Sequence, residues 1–282
     1  MNTTTTAAGH PADRAPVEHP ADRAPAGRTA DHTPGEGSPE YTPTDRTVPT
    51  RARQRASYDR ALVHAILDEG YVGHLGFIRD GAPVVLPTLY GRIGERLYVH
   101  GSTGSRPLRM AARPKPAGAA GTTGAGGAGG AGGAGGATDD AEAPGLPVCL
   151  TVTHVDGLVL ARSAFHHSLN YRSVVVHGTA HQVTDPEELR AALDALVDQV
   201  VPGRAADSRP ANTKELAATA VVRLDLEEVS AKVRAAGPND DEEDLGLPHW
   251  AGVVPVAPAT GSPVPSADLD PSIALPAYLT AL

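Results

Sequence analysis

The apolar and polar positions of this chain follow two different periods. At 58–69 apolar residues return every three or four positions and Gly70 follows them, which predicts a short amphipathic helix. A second helix is predicted at 184–200, because Thr184 and Glu187 have the spacing of a capping box and leucines recur on one face. Other apolar runs are short or alternate with period two, which is typical of strands. These runs lie at 71–79, 83–90, 96–100, 148–154, 158–165, 171–183 and 220–226.

Two Asp-Gly dipeptides separate neighbouring runs. Asp80-Gly81 lies between the first two runs, and Asp156-Gly157 lies between 148–154 and 158–165. Both dipeptides tolerate the positive φ of a tight hairpin turn. Six or seven strands joined largely by hairpins, with helices at the edges, do not form a repeated strand–helix–strand pattern. The sequence therefore predicts a mainly β fold, an antiparallel barrel with flanking helices.

Three segments lack these periodic patterns. Residues 1–50 are rich in Pro, Thr and Ala and repeat HPADRAP, so we predict a disordered tail. A Gly/Ala-rich run at about 112–145 predicts a flexible loop insertion. Pro and Ala dominate again at 257–282, where we predict a C-terminal tail. One folded domain, 51–256, remains.

Composition excludes several classes of function. The 282 residues carry 24 Lys and Arg against 33 Asp and Glu, a net charge of −9, so we expect no nucleic-acid partner. The single cysteine, Cys149, excludes an intrachain disulfide and a cysteine-based metal cluster. The N-terminus does not have the pattern of a signal peptide, and no run is long and apolar enough to cross a bilayer. We expect a cytoplasmic protein without a membrane partner.

The most informative stretch is LYVHGSTGSRPLR, at 97–109. A strand is predicted to end at His100, and Gly101 and Gly104 permit a turn whose amides point inward. The hydroxyl and guanidinium groups that follow belong to Ser102, Ser105, Arg106 and Arg109. Amides, the dipole of a following helix and arginine all favour an anion, so the stretch predicts a phosphate site. A capped surface helix with solvated arginines is the alternative at this point.

The order of the segments resembles the flavin-nucleotide-binding branch of the pyridoxamine 5′-phosphate oxidase family, which includes nitroimidazole-resistance proteins. The segments that carry the resemblance are DEGYVGHLGFIRDGAPVVLPTLYGRIGERLYVHGSTGSRPLR, PVCLTVTHVDGLVLARSAFHHSLNYRSVVVHGTAHQV, SAKVRAAGPNDDEED and HWAGVVPV. The resemblance covers about 51–256 apart from the Gly/Ala insertion. It implies an FMN-binding split β-barrel that forms a homodimer, with FMN in a groove at the subunit interface.

The resemblance also implies roles for individual residues. Ser105 and Arg106 would hold the FMN phosphate, and the isoalloxazine edge would run along the strand of Thr88. The full cofactor-binding set is Pro87, Thr88, Leu89, Ser102, Ser105, Arg106, Arg109, Ser173 and Trp250. Pro107 stands where many relatives have a phosphate-binding lysine, and Arg109 could supply that charge. Trp250 would close the flavin pocket by stacking, although a core anchor is an equal alternative.

Three residues are candidates for catalysis. His100 could relay a proton or hydrogen-bond the cofactor, and its alternative is a histidine satisfied by the backbone. On the resemblance, Tyr171 could cover a ring and Arg172 could meet an anion of the cofactor or substrate. The alternative for Arg172 is an ion pair with a nearby carboxylate. No metal is expected, because the adjacent histidines His166 and His167 would face opposite sides of a strand.

Together these features predict an FMN-dependent oxidoreductase that transfers electrons or hydride between FMN and a small organic substrate, with nitroaromatic compounds as one candidate class. The alternative is a flavin- or haem-binding carrier or sensor without turnover. The residues alone do not separate these two hypotheses.

Overall fold

The structure is a computed structural model that describes residues 39–111 and 145–280, without the side chains of Arg106 and Arg109. Within these ranges the strands are β1 (Ala56–Ser57), β2 (Val72–Arg79), β3 (Ala82–Ile93), β4 (Arg96–Ser102), β5 (Leu146–Leu160), β6 (Ser168–Gln182), β7 (Thr219–Asp225), β8 (Glu228–Arg234) and β9 (Gly252–Pro255). The α-helices are α1 (Arg60–Glu69), α2 (Arg106–Ala111), α3 (Pro186–Val200) and α4 (Thr213–Ala218). Both long predicted helices are therefore confirmed, but Asp185 and not Thr184 caps α3, because the Asp185 carboxylate accepts a hydrogen bond from the Glu188 amide.

Six antiparallel strands close into a ring. Their order around the ring is β6, β7, β4, β3, β2 and β5, and β5 pairs with β6 again. β8 lies outside the ring and pairs with β6 on one side and with β1 on the other. β9 pairs with β5. The predicted mainly β, antiparallel split barrel with flanking helices is confirmed. The short β1 and β9 were not predicted, because two to four residues do not show a period.

The two Asp-Gly dipeptides have different structures. Asp80 and Gly81 have φ of 52° and 80° and join β2 to β3, as predicted. Asp156-Gly157 instead lies inside β5, where the register with β6 shifts at a β-bulge, so the predicted hairpin turn is wrong. A Cβ on Gly157 would lie 2.9 Å from Cγ1 of Val253 in β9, so the glycine allows β9 to pair closely.

The core fills the inside of the ring, and two helices cover it. α1 begins at Asp59, whose carboxylate accepts a hydrogen bond from the Leu62 amide, and buries three side chains in this core. α2 contributes Leu108 and Ala111 and contacts β4, β5, β6 and β7. Each fully buried aliphatic side chain stabilises the fold by about 1.5–3 kcal/mol. The position of α2 is therefore fixed by apolar packing as well as by its covalent connection to β4.

Part of the outer face of the ring is covered by α3. Tyr98 and Val221 point outward and pack with Ala192 of this helix. The backbone of Ala195 approaches β3 so closely that a Cβ on Gly91 would lie 2.9 Å from it. The outer face of β2, β5, β6 and the first half of β3 has no such cover within the described residues.

Residues 39–50 pack on the domain, although we placed them in the disordered tail. Tyr41 is buried, its hydroxyl donates to Glu95 Oε2 at 2.7 Å and lies 3.0 Å from His64 Nε2. Burial, followed by the hydrogen bond to Glu95, raises the pKa of Tyr41. The boundary at residue 50 is therefore too late. A single tyrosine among small polar residues produces no periodic signal.

The remaining predicted segments are described only in part. Residues 1–38 and 112–144, including most of the Gly/Ala insertion, lie outside the described residues. The C-terminal segment is mostly exposed, but the hydroxyl of Tyr278 donates to Asp207 at 2.6 Å. In the part of the chain that the structure describes, the helices are too short or too polar to cross a membrane.

Candidate functional site

β3 changes its pairing partner along its length, and this change opens the ring. Residues 82–89 pair with β2, whereas 90–93 pair with β4. Beyond this point β4 continues over 100–102 and pairs with β7 alone. The two strand edges that face each other across the opening have no strand partner among the described residues. Their backbone donors and acceptors are available to a ligand.

Pro87, Thr88 and Leu89 lie on the β3 side of this opening. The amide of Tyr90 donates to the carbonyl of Tyr71 at 3.2 Å, which directs its peptide groups toward β2. Because peptide groups alternate along a strand, those of Leu89 point the other way, into the opening. The Thr88 hydroxyl donates to the Leu89 carbonyl at 3.2 Å. The Leu89 amide faces the opening beside this carbonyl, and its hydrogen bond to a flavin ring stays a prediction.

The turn after β4 forms the other side of the opening. The Ser105 amide donates to the Ser102 carbonyl at 2.8 Å, and the Thr103 amide donates to the Ala218 carbonyl at 3.0 Å. The side-chain hydroxyls of Ser102 and Ser105 have no hydrogen-bond partner among the described residues. α2 begins directly after this turn, as predicted. The turn thus offers two free hydroxyls at the start of a helix.

Close packing explains Gly101, near the end of β4 and just before this turn. A Cβ on Gly101 would lie 2.8 Å from Leu108 Cδ1, so a side chain at this position would require the buried Leu108 side chain to shift. The predicted phosphate contacts of Arg106 and Arg109 involve side chains outside the described part of the structure. Those two contacts stay predictions.

Two histidines lie on the outer face near the opening. His100 is exposed, and one further pair in the β3–β4 register would place it opposite Leu89. His74 on β2 is also exposed and lies directly opposite Pro87. Neither imidazole has a hydrogen-bond partner among the described residues. Our sequence analysis missed His74, although a histidine between two glycines in the apolar segment VGHLGF was a detectable signal.

Arg172 is bound by carboxylates of its own chain. Its Nε and Nη2 donate to Asp156 at 3.0 and 2.8 Å, and its Nη2 donates to Glu69 at 2.8 Å, beside a further Nη1 contact to Glu69. The hydrogen bond from Arg172 lowers the pKa of Glu69, and the two carboxylates raise the pKa of Arg172. The ion-pair alternative thus describes Arg172, and its guanidinium is not free to meet a substrate anion.

The other predicted residues of β6 lie far from the turn within one chain. Tyr171 is eleven residues from Gln182, which pairs with β7 near the turn, and this separation is roughly 35 Å of extended strand. The Ser173 hydroxyl donates to the Lys232 carbonyl at 3.3 Å, and Trp250 is exposed next to β9. A single chain does not bring Tyr171, Ser173 and Trp250 to the opening between β3 and β4.

Comparison with protein families identifies this fold. The family model described as pyridoxamine 5′-phosphate oxidase matches residues 59–122 and 130–233, which is more than half of the chain. The chain belongs to this family. As a pyridoxamine 5′-phosphate oxidase-like protein it has a flavin-binding type of fold. No protein of curated function matches it.

Two solved structures are similar over most of this pyridoxamine 5′-phosphate oxidase-like chain. The flavocytochrome Anf3 from Azotobacter vinelandii is 34% identical, with a TM-score of 0.70, over 86% of this chain and 98% of that one. An FAD and haem binding protein from Mycobacterium smegmatis is 33% identical, with a TM-score of 0.66, over 80% and 96%. A candidate 5-nitroimidazole resistance protein from Bacteroides thetaiotaomicron is 18% identical, with a TM-score of 0.45, over 63% and 86%. The third similarity is too low to support an argument about function.

Proposed function

We propose that this protein is a redox flavoprotein whose flavin lies in the opening between β3 and β4. One arrangement supports the proposal: two unpaired strand edges face each other next to the turn after β4. The hydroxyls of Ser102 and Ser105 in this turn have no partner among the described residues. Such an opening offers a flat slot for a ring and, at one end, donors for an anion. When bound, the flavin supplies reversible transfer of electrons or hydride.

The residues on either side of the slot have separate tasks. The hydroxyls of Ser102 and Ser105 donate to the phosphate, and Arg106 and Arg109 add positive charge there on the strength of the family resemblance. The amide of Leu89 donates to the edge of the ring. His100, exposed beside the slot, offers its imidazole as a hydrogen-bonding group to the ring.

The identity of the flavin is a separate part of the proposal. FMN and FAD share the ring and the phosphate next to the ribityl chain, so the same turn serves either molecule. The sequence favours FMN through the family resemblance, whereas the two relatives above 30% identity are described as a flavocytochrome and as an FAD and haem binding protein. We keep FMN as the proposal and make FAD an outcome of the test.

A second copy of the chain would complete the site. Five apolar side chains on the uncovered outer face are 38% to 62% exposed: Val72, Ile78, Val85, Leu89 and Val155. An apolar sheet face of this kind is typical of a self-complementary dimer contact. The partner copy would then supply Tyr171, Ser173 and Trp250, which are remote from the slot of their own chain. We therefore propose a homodimer with the cofactor at its interface and a small-molecule substrate.

The purified full-length protein provides the test. We expect a yellow protein whose released ligand is identified by mass spectrometry, and whose flavin is reduced by NADH or NADPH and reoxidised by a nitroaromatic compound. Arg106→Ala should weaken flavin binding by about 1.5–3 kcal/mol, the cost of a lost charge-assisted hydrogen bond. A colourless protein that gives no heat with FMN or FAD in calorimetry would refute the proposal. A bound flavin that no donor reduces would leave the carrier alternative.

Haem binding is the second candidate function, and one observation favours it. His74 is an exposed imidazole without a partner among the described residues, on an apolar sheet face beside Val72 and Val85, and both similar structures above 30% identity are described as haem proteins or cytochromes. If haem bound to this face, His74 would be the residue that holds its iron. His74→Ala should then abolish a Soret band while the flavin content is unchanged. The same band in His74→Ala and in the control His166→Ala would exclude His74 as the ligand.

A further inference from the structure

The tip of the β5–β6 hairpin exposes apolar side chains that have no evident use in the flavin site. Phe165 is 88% exposed and Leu245, on the adjacent loop, is 56% exposed. The contact between His166 and Asp241 joins this tip to a loop that carries large apolar side chains and a run of carboxylates, and we name the exposed residues of tip and loop the acidic–apolar patch. The patch consists of Phe165, Asp241, Glu242, Glu243, Leu245 and Leu247.

The patch is held in place by polar contacts on both sides of Phe165. The Arg162 amide donates to Asp240 Oδ1 at 2.7 Å, and its Nη1 donates to Oδ2 at 2.7 Å. His166 Nε2 lies 3.1 Å from Asp241 Oδ2, and its ring packs edge-on against the Phe165 ring with centroids 5.2 Å apart. The loop itself is a 3₁₀ turn over Glu242–Asp244. The exposure of Phe165 therefore belongs to a fixed surface.

The charge of the patch is negative and largely uncompensated. Asp240–Asp244 are five consecutive acidic residues, and no Lys or Arg occurs between 235 and 250. Arg162 pairs with Asp240 and His166 contacts Asp241, which leaves the exposed carboxylates of Glu242 and Glu243 at the rim of the apolar residues. An apolar centre with a charged rim is the usual composition of a weak protein–protein contact.

We propose that the acidic–apolar patch docks a basic protein. Its rim attracts lysine and arginine side chains and accelerates the encounter, while Phe165 and Leu245 supply the area that leaves water. A second copy of this chain does not fit face to face, because each rim would meet the same carboxylates. That the partner exchanges electrons with the bound cofactor rests on the proposed function, whereas its positive charge follows from the patch alone. Small contacts of this kind are typical of electron-transfer encounters.

Binding to two probe proteins of opposite charge tests the proposal. A lysine-rich c-type cytochrome and an acidic flavodoxin are titrated separately into the full-length protein by isothermal calorimetry at low salt. We expect saturable binding of the basic probe alone, and a loss of affinity as salt is raised because the Debye length shortens. The doubly substituted Glu242→Lys/Glu243→Lys should weaken that binding about tenfold or more. Phe165→Ser should weaken it several-fold, roughly threefold or more.

A matched variant separates the patch from the overall charge. Glu187→Lys/Asp194→Lys changes two exposed acidic residues of α3 and gives the same net charge. Its affinity for the basic probe should stay within about twofold of the unchanged protein. Equal losses in both doubly substituted proteins, equal binding of both probes, or no binding of the basic probe would each overturn the proposal. So would a dimer that dissociates in Phe165→Ser during sedimentation. Flavin content measured in the same samples tests the proposed function independently.

Discussion

The two ends of the sheet differ in whether their polar side chains are paired within the chain. At the opening between β3 and β4, the hydroxyls of Ser102 and Ser105 and the imidazole of His100 have no partners among the described residues. At the hairpin end, Arg172 is bound by two carboxylates and Arg162 by a third. Polar groups that the fold leaves unpaired are available to a ligand, whereas groups paired inside the chain fix the structure. The comparison assigns cofactor binding to the opening at the first end and structural stability to the ion pairs at the second.

Replacing Arg172 should have the largest effect on stability. Arg172→Ala leaves Glu69 and Asp156 facing each other without a cation, so we expect the free energy of unfolding to fall by about 2–3 kcal/mol, less than for a fully buried pair because these groups are partly exposed. Urea denaturation measures this change. The control Arg209→Ala removes the exposed pair with Glu215 and should lower the free energy of unfolding far less.

Flavin titration of the same variant decides between a structural and a catalytic Arg172. We expect its flavin affinity to be unchanged when the protein is folded. If Arg172→Ala were as stable as Arg209→Ala but lost turnover, the assignment of the hairpin end to stability would be contradicted.

Removing the free hydroxyls at the opening should affect binding without affecting stability. The doubly substituted Ser102→Ala/Ser105→Ala loses two donors to the phosphate, so we expect the flavin dissociation constant to rise roughly tenfold, or about 1.5 kcal/mol. Fluorescence titration measures the affinity, and thermal unfolding of the flavin-free protein should be unchanged. Ser208→Ala, whose hydroxyl bonds the Arg204 carbonyl elsewhere, serves as the control. If the unchanged protein, the double variant and Ser208→Ala all bound flavin with equal affinity, the phosphate would not lie at the Ser102 and Ser105 hydroxyls.

The pH dependence of stability should reveal how much the Glu69 carboxylate at the hairpin end stabilises the fold. Because Arg172 lowers the pKa of Glu69 in the folded protein, Glu69 stabilises the fold above its unfolded pKa of about 4.3, and this contribution is lost as pH falls through the lower folded pKa. Glu69→Gln should therefore cost about 1 kcal/mol at pH 7, discounted for exposure, and progressively less at acid pH. Denaturation curves between neutral and acid pH measure the difference. A difference that stays constant over that range would contradict the role of its charge.

The smallest effect is expected from the Gly/Ala insertion. Deleting residues 117–137 shortens a run that its composition predicts to be a flexible loop, and loop-closure free energy changes slowly with length, so stability should change by less than about 0.5 kcal/mol. Thermal unfolding of the deletion variant measures this. A large fall in melting temperature would show that the insertion contributes to the stability of the folded domain.

Much of the fold could be predicted from local patterns. The helical spacing at 58–69 and Asp80-Gly81 depend on neighbouring residues, and the structure confirms both. Most period-two runs form strands, but the runs at 148–154 and 158–165 belong to one strand, β5, which ends at Leu160. The turn after β4 was predicted for the same reason, because glycines and hydroxyl residues are adjacent in sequence. Tyr41 was missed, since its burial and its hydrogen bond depend on residues distant in sequence. His74 was missed although it interrupts an apolar segment of the sequence.

The sequence by itself determined which residues form strands, helices and the Ser102–Ser105 turn, because period, capping and turn chemistry act over a few positions. Tertiary structure decided which polar groups stay free. Asp156-Gly157 has the same composition as Asp80-Gly81, yet it forms a bulge because β6 supplies Arg172 and β9 packs against the missing Cβ. Those contacts join segments far apart in the chain, so they could not be predicted from neighbouring residues in the sequence.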